Sequence, residues 1–251
     1  MSAGDRYSTG LDRSTDRQHV ASWRTLYRTA GAAAAVTAVL IPIQIAVFIA
    51  YPYPKTVAGW YMLLQDKPLV GLVDLDLVLV VDNVLLVVIA LAAYVALRHL
   101  SPSVMAIATG LWLLAIGMFI ASNPAVQMLK LSHHFAAAPT DEQRSQAIAA
   151  GEAVLANWEG SAFQVSYVVG QLSGILIAII MLRTRSFGRL VPYALIIGNV
   201  VGFGYYLPRV GLAVSAFSGV VLWVWYIAIT RSFLKLGRNR DAATDRGSES
   251  G

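Results

Sequence analysis

Apolar and polar positions along this chain separate into blocks rather than fine stripes. Charge-poor apolar runs fall at about residues 30–51, 69–97, 104–121, 161–182, 190–207 and 210–230. Each approaches the roughly 20 residues that carry an α-helix across the hydrocarbon of a bilayer. The pattern predicts an all-α fold, a polytopic membrane helix bundle with six transmembrane helices. A membrane β-barrel would need short segments of alternating polarity, and there are none. Pro52 and Pro54 end the first run by fixing φ and removing backbone donors. That run is too long, and begins too far into the chain, for an ordinary signal peptide, so it is expected to stay attached.

The connection at 122–160 breaks this rhythm by its length. Within it Thr140-Asp141-Glu142-Gln143 has capping-box spacing, with the hydroxyl of Thr140 placed to accept from a first-turn amide. Asp141 and Glu142 suit the positive end of a helix. Ala147, Ile148, Val154, Leu155 and Trp158 then recur at helical spacing. One external amphipathic helix over 141–158 is expected, lying on the outer surface of the bundle or in the outer leaflet. The domain plan is a disordered cytoplasmic tail at 1–24, a six-helix membrane domain at 25–236 and a second disordered tail at 237–251. The tails hold too little apolar surface to fold alone.

Composition strengthens the membrane reading. The 251 residues are 57% hydrophobic and 13% charged, with mean hydropathy +0.62, whereas soluble domains are about one quarter charged. The net charge of +5 would suggest nucleic acid in a soluble protein. Here the basic residues sit beside apolar runs, and no nucleic-acid partner is expected. Of the 19 lysines and arginines, 14 fall in the tails and the even-numbered connections and five in the odd-numbered ones. Basic residues near span ends favour the cytoplasm, so both termini are expected there, in a cell-membrane protein. With no cysteine there is no disulfide framework, thiolate metal site or cysteine nucleophile.

Polar residues inside apolar runs are the candidate functional positions. Asp82 is the most informative, because an ionised carboxylate facing lipid costs several kcal/mol. It reads either as a proton or cation site, as a carboxylate for acid chemistry, or as an interhelical hydrogen-bond partner. Asn83 adds to a polar interior. Asp74 and Asp76 lie two residues apart, about 200° of helix rotation, so a continuous helix would point them to nearly opposite sides. Gln164 and Gln171 place amides on nearly one face of the fourth run. Arg209, alone in the turn between the last two runs, is expected to be the cation nearest the acids.

His133 and His134, with Glu152 and Glu159, form a candidate external cluster. They lack the spacing of a metal-binding motif, and no metal or cofactor is expected. No phosphate-cradling glycine loop or nucleophile elbow is present. Glycines read more firmly as packing surfaces: Gly170 and Gly174, Gly198 and Gly202, then Gly211, Ser215 and Gly219 have the small-residue spacing that lets membrane helices approach closely. Trp112, Trp223 and Trp225 read as packing or lipid-facing bulk.

The stretches Tyr27-Arg28-Thr29-Ala30-Gly31, Asp74-Leu75-Asp76 through Val81-Asp82-Asn83-Val84-Leu85-Leu86, Ala121-Ser122-Asn123-Pro124-Ala125 with Met128-Leu129, Ala150-Gly151-Glu152-Ala153 and Trp158-Glu159-Gly160-Ser161-Ala162-Phe163-Gln164 are ordered and spaced alike in one family. Over residues 25–236 the chain resembles a family of bacterial six-span integral membrane proteins catalogued as a domain of unknown function. The resemblance implies a multi-pass membrane protein and supplies no catalytic residues. Three functions stay open: a non-catalytic membrane protein acting through lipid or protein partners, a small proton- or ion-coupled transporter using Asp82, and a membrane-embedded enzyme acting on a lipid or isoprenoid. The expected partners are the bilayer, a lipid or small-molecule ligand and further copies of the chain.

Overall fold

A computed structural model describes the backbone of residues 3–248 and the side chains of residues 23–238 apart from Leu212. Ten α-helices and a 3₁₀ turn follow one another: α1 (Ala3–Ala50), α2 (Val57–Asp66), α3 (Pro68–Asp74), α4 (Leu77–Leu97), α5 (Pro102–Ser122), α6 (Ala125–Ala137), α7 (Asp141–Trp158), α8 (Ser161–Met181), α9 (Leu190–Gly202), the 3₁₀ turn Phe203–Tyr206 and α10 (Gly211–Ser248). No strand occurs among the described residues. The chain is therefore an all-α helix bundle. The predicted tails, 1–24 and 237–251, fall mostly on residues whose side chains lie outside the described ones.

Five helical stretches are long and apolar enough to cross a membrane: Trp23–Ala50, Leu77–Leu97, Pro102–Ala137, Asp141–Met181 and Ala213–Arg238. The predicted fifth span is a shorter apolar stretch, Leu190–Tyr206. Its 13 α-helical residues rise about 20 Å and the four-residue 3₁₀ turn adds about 8 Å. Together these nearly match a hydrocarbon core of about 30 Å. Val39, Ile49, Ile107, Leu114, Leu172 and Phe217 stand exposed on the outward faces, a solvent-incompatible surface that lipid would cover.

The interior is one apolar cluster built on small side chains. Ala30, Ala33, Ala34, Ala90, Ala92, Ala93 and Ala108 let the helices close around Ile89, Met105, Ile177, Trp225 and Phe233. One contact between α1 and α10 has a specific backbone cause. Pro42 lies inside α1 and has no N–H to offer the carbonyl four residues back. That carbonyl, of Ala38, accepts instead from the indole Nε1 of Trp223 at 2.7 Å. Trp223 is thus a hydrogen-bond donor between helices, beyond the bulk expected of it.

Two expectations about the helices are corrected. The second span is not a continuous helix over 69–97: α3 ends at Asp74, Leu75 follows as its cap, and Asp76 takes a left-handed conformation with φ 60° before α4 starts. Aspartate tolerates that conformation better than most residues. Nor does the external face hold one helix. α2, α3, α6 and α7 together cap one end of the bundle over a second core of Val57, Trp60, Tyr61, Leu64, Leu75, Ala125 and Met128. The capping box is present as expected, the Thr140 hydroxyl accepting from the Gln143 amide at 3.3 Å. α7 lies on this cap, tied by the Tyr61 hydroxyl, which donates to the Ala147 carbonyl at 2.7 Å.

Candidate functional site

Two polar features occupy different faces of α4, set by the adjacent residues Asp82 and Asn83, which are about 100° apart around the helix. One is a seam of acids against α1. The other is a neutral cavity against α5, α8, α9 and α10.

The seam begins where the helix breaks. Asp74 is fully buried, and neither of its carboxylate oxygens has a hydrogen-bond partner. Asp76 accepts from the side-chain amide of Gln44 on α1 at 3.2 Å, and the indole of Trp158 on α7 faces the same carboxylate. Asn123 holds the break from the other side, donating to the Leu75 carbonyl at 2.8 Å while its own oxygen accepts from the Ala125 amide at 3.1 Å and starts α6. The Asp74-Leu75-Asp76, Asn123-Pro124 and Trp158 stretches, distant in sequence, therefore meet in space. The break also removes the premise that Asp74 and Asp76 diverge on one helix: both charges act on Tyr53, whose phenol is held above its ordinary value first by burial and then by Asp76 and Asp74.

Further into the bundle the same α1–α4 interface holds Thr37 and Asp82. Thr37 is seven residues from Gln44 on α1, and Asp82 six from Asp76, so the two pairs stack along antiparallel helices. Asp82 is 5% exposed and Thr37 fully buried. Thr37 is the polar side chain that faces the carboxylate, yet the Thr37 hydroxyl and both Asp82 oxygens lie outside hydrogen-bonding geometry. Tyr226 of α10 borders Asp82 from a third helix.

Arg209 does not serve the acids. It is exposed in the turn before α10, with φ 68°, and takes part in no ion pair among the described residues. On α7, Arg144 pairs with Asp141 at 3.8 Å, a solvated contact of little energetic weight.

The cavity, of about 290 Å³, lies between α4, α5, α8, α9 and α10. Asn83, Ser166, Tyr167, Gln171 and Asn199 supply its polar lining; Trp112, Phe119, Leu195, Leu222, Trp225 and Tyr226 supply apolar walls. None of its lining residues is acidic or basic. Most of the polar groups are already occupied locally. Asn83 donates to Leu79 at 2.8 Å, Asn199 to Leu195 at 2.6 Å, and the Tyr167 hydroxyl to the Gly202 carbonyl at 2.9 Å. Two side chains are different: Gln171, 6% exposed, lines the cavity and makes no hydrogen bond among the described residues, and the indole Nε1 of Trp225 is buried there without a partner. Phe119, Phe163, Tyr167, Tyr205 and Tyr206 form a ring cluster above it towards the capped end.

Glycines make the α8–α9 approach possible. A Cβ on Gly174 would lie 2.6 to 2.8 Å from the Asn199 amide, and one on Gly202 would overlap the Gln171 amide. Gly198 is covered by Leu222, and Gly211 by the Tyr205 carbonyl. Ser215 meets the Tyr167 hydroxyl at 3.3 Å. Gly170 and Gly219 depart from the expectation, since a Cβ on the first meets only Ala115 at 3.6 Å and one on the second meets nothing within 4 Å.

The remaining candidates stay apart from both features. Gln164 sits at the capped end of α8, donating to the Glu159 carbonyl at 3.2 Å and accepting from Tyr206 at 2.8 Å. His133 and His134 are exposed on α6 rather than in a loop, and Glu152 and Glu159 are exposed on and just after α7. No three metal-ligating side chains converge among the described residues. Sequence reasoning missed Thr37, Gln44 and Asn199, although each is a lone polar residue in an apolar run, the same signal that marked Asp82. No family model, curated protein or solved structure matches this chain.

Proposed function

We propose that the chain is a six-span protein of a bacterial cell membrane, with both termini cytoplasmic, that acts without catalysis by holding a neutral, lipid-like ligand between its helices. The observation that carries this reading is the cavity, largely apolar-walled yet lined by the Gln171 amide, which bonds no described residue, and by the buried, unpartnered indole N–H of Trp225. Buried polar groups are normally satisfied, and a ligand hydroxyl or carbonyl would complete Gln171 as a helix neighbour does not. Such a site suits an isoprenoid alcohol or a neutral lipid headgroup, since small-molecule sites are mainly apolar with a few placed polar groups. An enzyme acting on that ligand would bring acids to it, whereas the acids lie on the other face of α4. The 14-to-five distribution of basic residues supports the orientation.

The test is native mass spectrometry of protein purified in a detergent free of ester lipids. Wild type should retain a neutral adduct of lipid size. Gly170→Leu should lose it, because Gly170 lines the cavity and has room for a larger side chain. Equal adducts on both proteins, or none on either, would reject the reading.

A further inference from the structure

The Asp82 carboxylate has no countercharge. Among the described residues it has no ion pair and no hydrogen bond, although it is 5% exposed within a membrane-spanning helix. The side chains around it are Thr37 of α1 and Tyr226 of α10. α5, the other helix packed closely on α4, contains no titratable residue. On the side of the cap, Asp76 and Asp74 are the next titratable groups. A lone carboxylate in such a place must be neutralised from outside the protein. A metal cation would demand several oxygens, typically six or more for a hard ion such as calcium, and beside the carboxylate stand only the Thr37 and Tyr226 hydroxyls. A proton needs only the carboxylate.

We propose that Asp82 is a proton-binding site, reached from the capped end along the Asp76–Gln44 seam. Below Asp82 and Thr37 the interface closes on Ala30, Ala33, Ala34, Ala90 and Ala93, so the polar track ends at this pair. Tyr226 borders both this site and the ligand cavity, but the inference rests on the Asp82 carboxylate alone and not on the cavity's being filled.

Infrared spectroscopy of the full chain in an ester-free detergent reads it directly, with aspartate labelled at the side-chain carbon to separate its carboxyl band from others. The expected result is a protonated-carboxyl band at neutral pH that is lost in Asp82→Asn and unaffected by sodium at fixed pH. Thr37→Val keeps the carboxylate and should keep the band. A band identical in wild type and Asp82→Asn, no such band at all, or a band removed by sodium would overturn the proposal. Deuterium exchange of the band should slow several-fold in Gln44→Leu; an unchanged rate would overturn the access route.

Discussion

Trp223→Phe should destabilise the bundle only as long as Pro42 is present. The indole bond to the Ala38 carbonyl, at 2.7 Å, exists because proline leaves that carbonyl without its helical donor. Removing the indole N–H orphans a buried carbonyl, which costs about 1–3 kcal/mol. Interhelical hydrogen bonds in membrane proteins average about 0.6 kcal/mol and reach about 1.7, so about 1–2 kcal/mol is expected for the single change. In a Pro42→Ala background the amide at position 42 bonds Ala38 itself, and the same substitution should cost under about 0.5 kcal/mol. The loss of ring area is common to both backgrounds and cancels in the cycle. Equilibrium unfolding in mixed micelles, read by near-UV circular dichroism, gives the four stabilities. A coupling of about 1 kcal/mol is the expected outcome; equal costs in the two backgrounds would refute the account of why Trp223 points where it does.

Four further outcomes are expected. Gly174→Ala should cost about 1–3 kcal/mol through overpacking against Asn199, which sits 2.6 Å from the added Cβ, while Gly219→Ala, with open space around it, should be neutral or mildly stabilising; unfolding midpoints that move together would contradict this. Tyr61→Phe leaves the Ala147 carbonyl without its donor and should raise hydrogen exchange throughout α7, at about 1–3 kcal/mol, and unchanged protection would count against the cap being one packed unit. Thr140→Ala removes the N-cap acceptor of α7 and should cost about 1 kcal/mol, visible as faster exchange confined to its first turn. Cysteines introduced near residues 10 and 245 should resist an impermeant reagent in intact cells, and labelling at either would reverse the orientation.

How much of this was legible follows from which forces act locally. Span positions depend on the length of apolar runs, which the bilayer thickness fixes, so they stand out without any tertiary information. The break after α3 does not, because Asp74-Leu75-Asp76 contains neither proline nor glycine and the apolar run continues across it. What holds that break is distant in sequence: Asn123 on the Leu75 carbonyl and Gln44 on Asp76. The cap was legible only in part. α7 carried its capping box in sequence, whereas α2, ten residues in a connection between two long apolar runs, is too short to stand out by length; the Thr56 hydroxyl, which accepts from the Gly59 amide at 3.1 Å, was its local signal. α6 had one too, in Asn123-Pro124. Asp82 was conspicuous as a charge, but Thr37 and Asn199 are common enough in apolar helices that only packing reveals their place. Arg209 was assigned as the lone basic residue of the last turn, and there it is exposed and makes no ion pair with the acids among the described residues.

The central claim is that the space against Gln171 belongs to a ligand. A structure determined from native membrane patches, extracted without detergent, tests it most directly. The account predicts density for a neutral, elongated molecule in the cavity between α4, α5, α8, α9 and α10, with an oxygen in hydrogen-bonding distance of the Gln171 amide. A cavity that is closed, with Gln171 bonded to a neighbouring helix and no density beside it, would contradict the account.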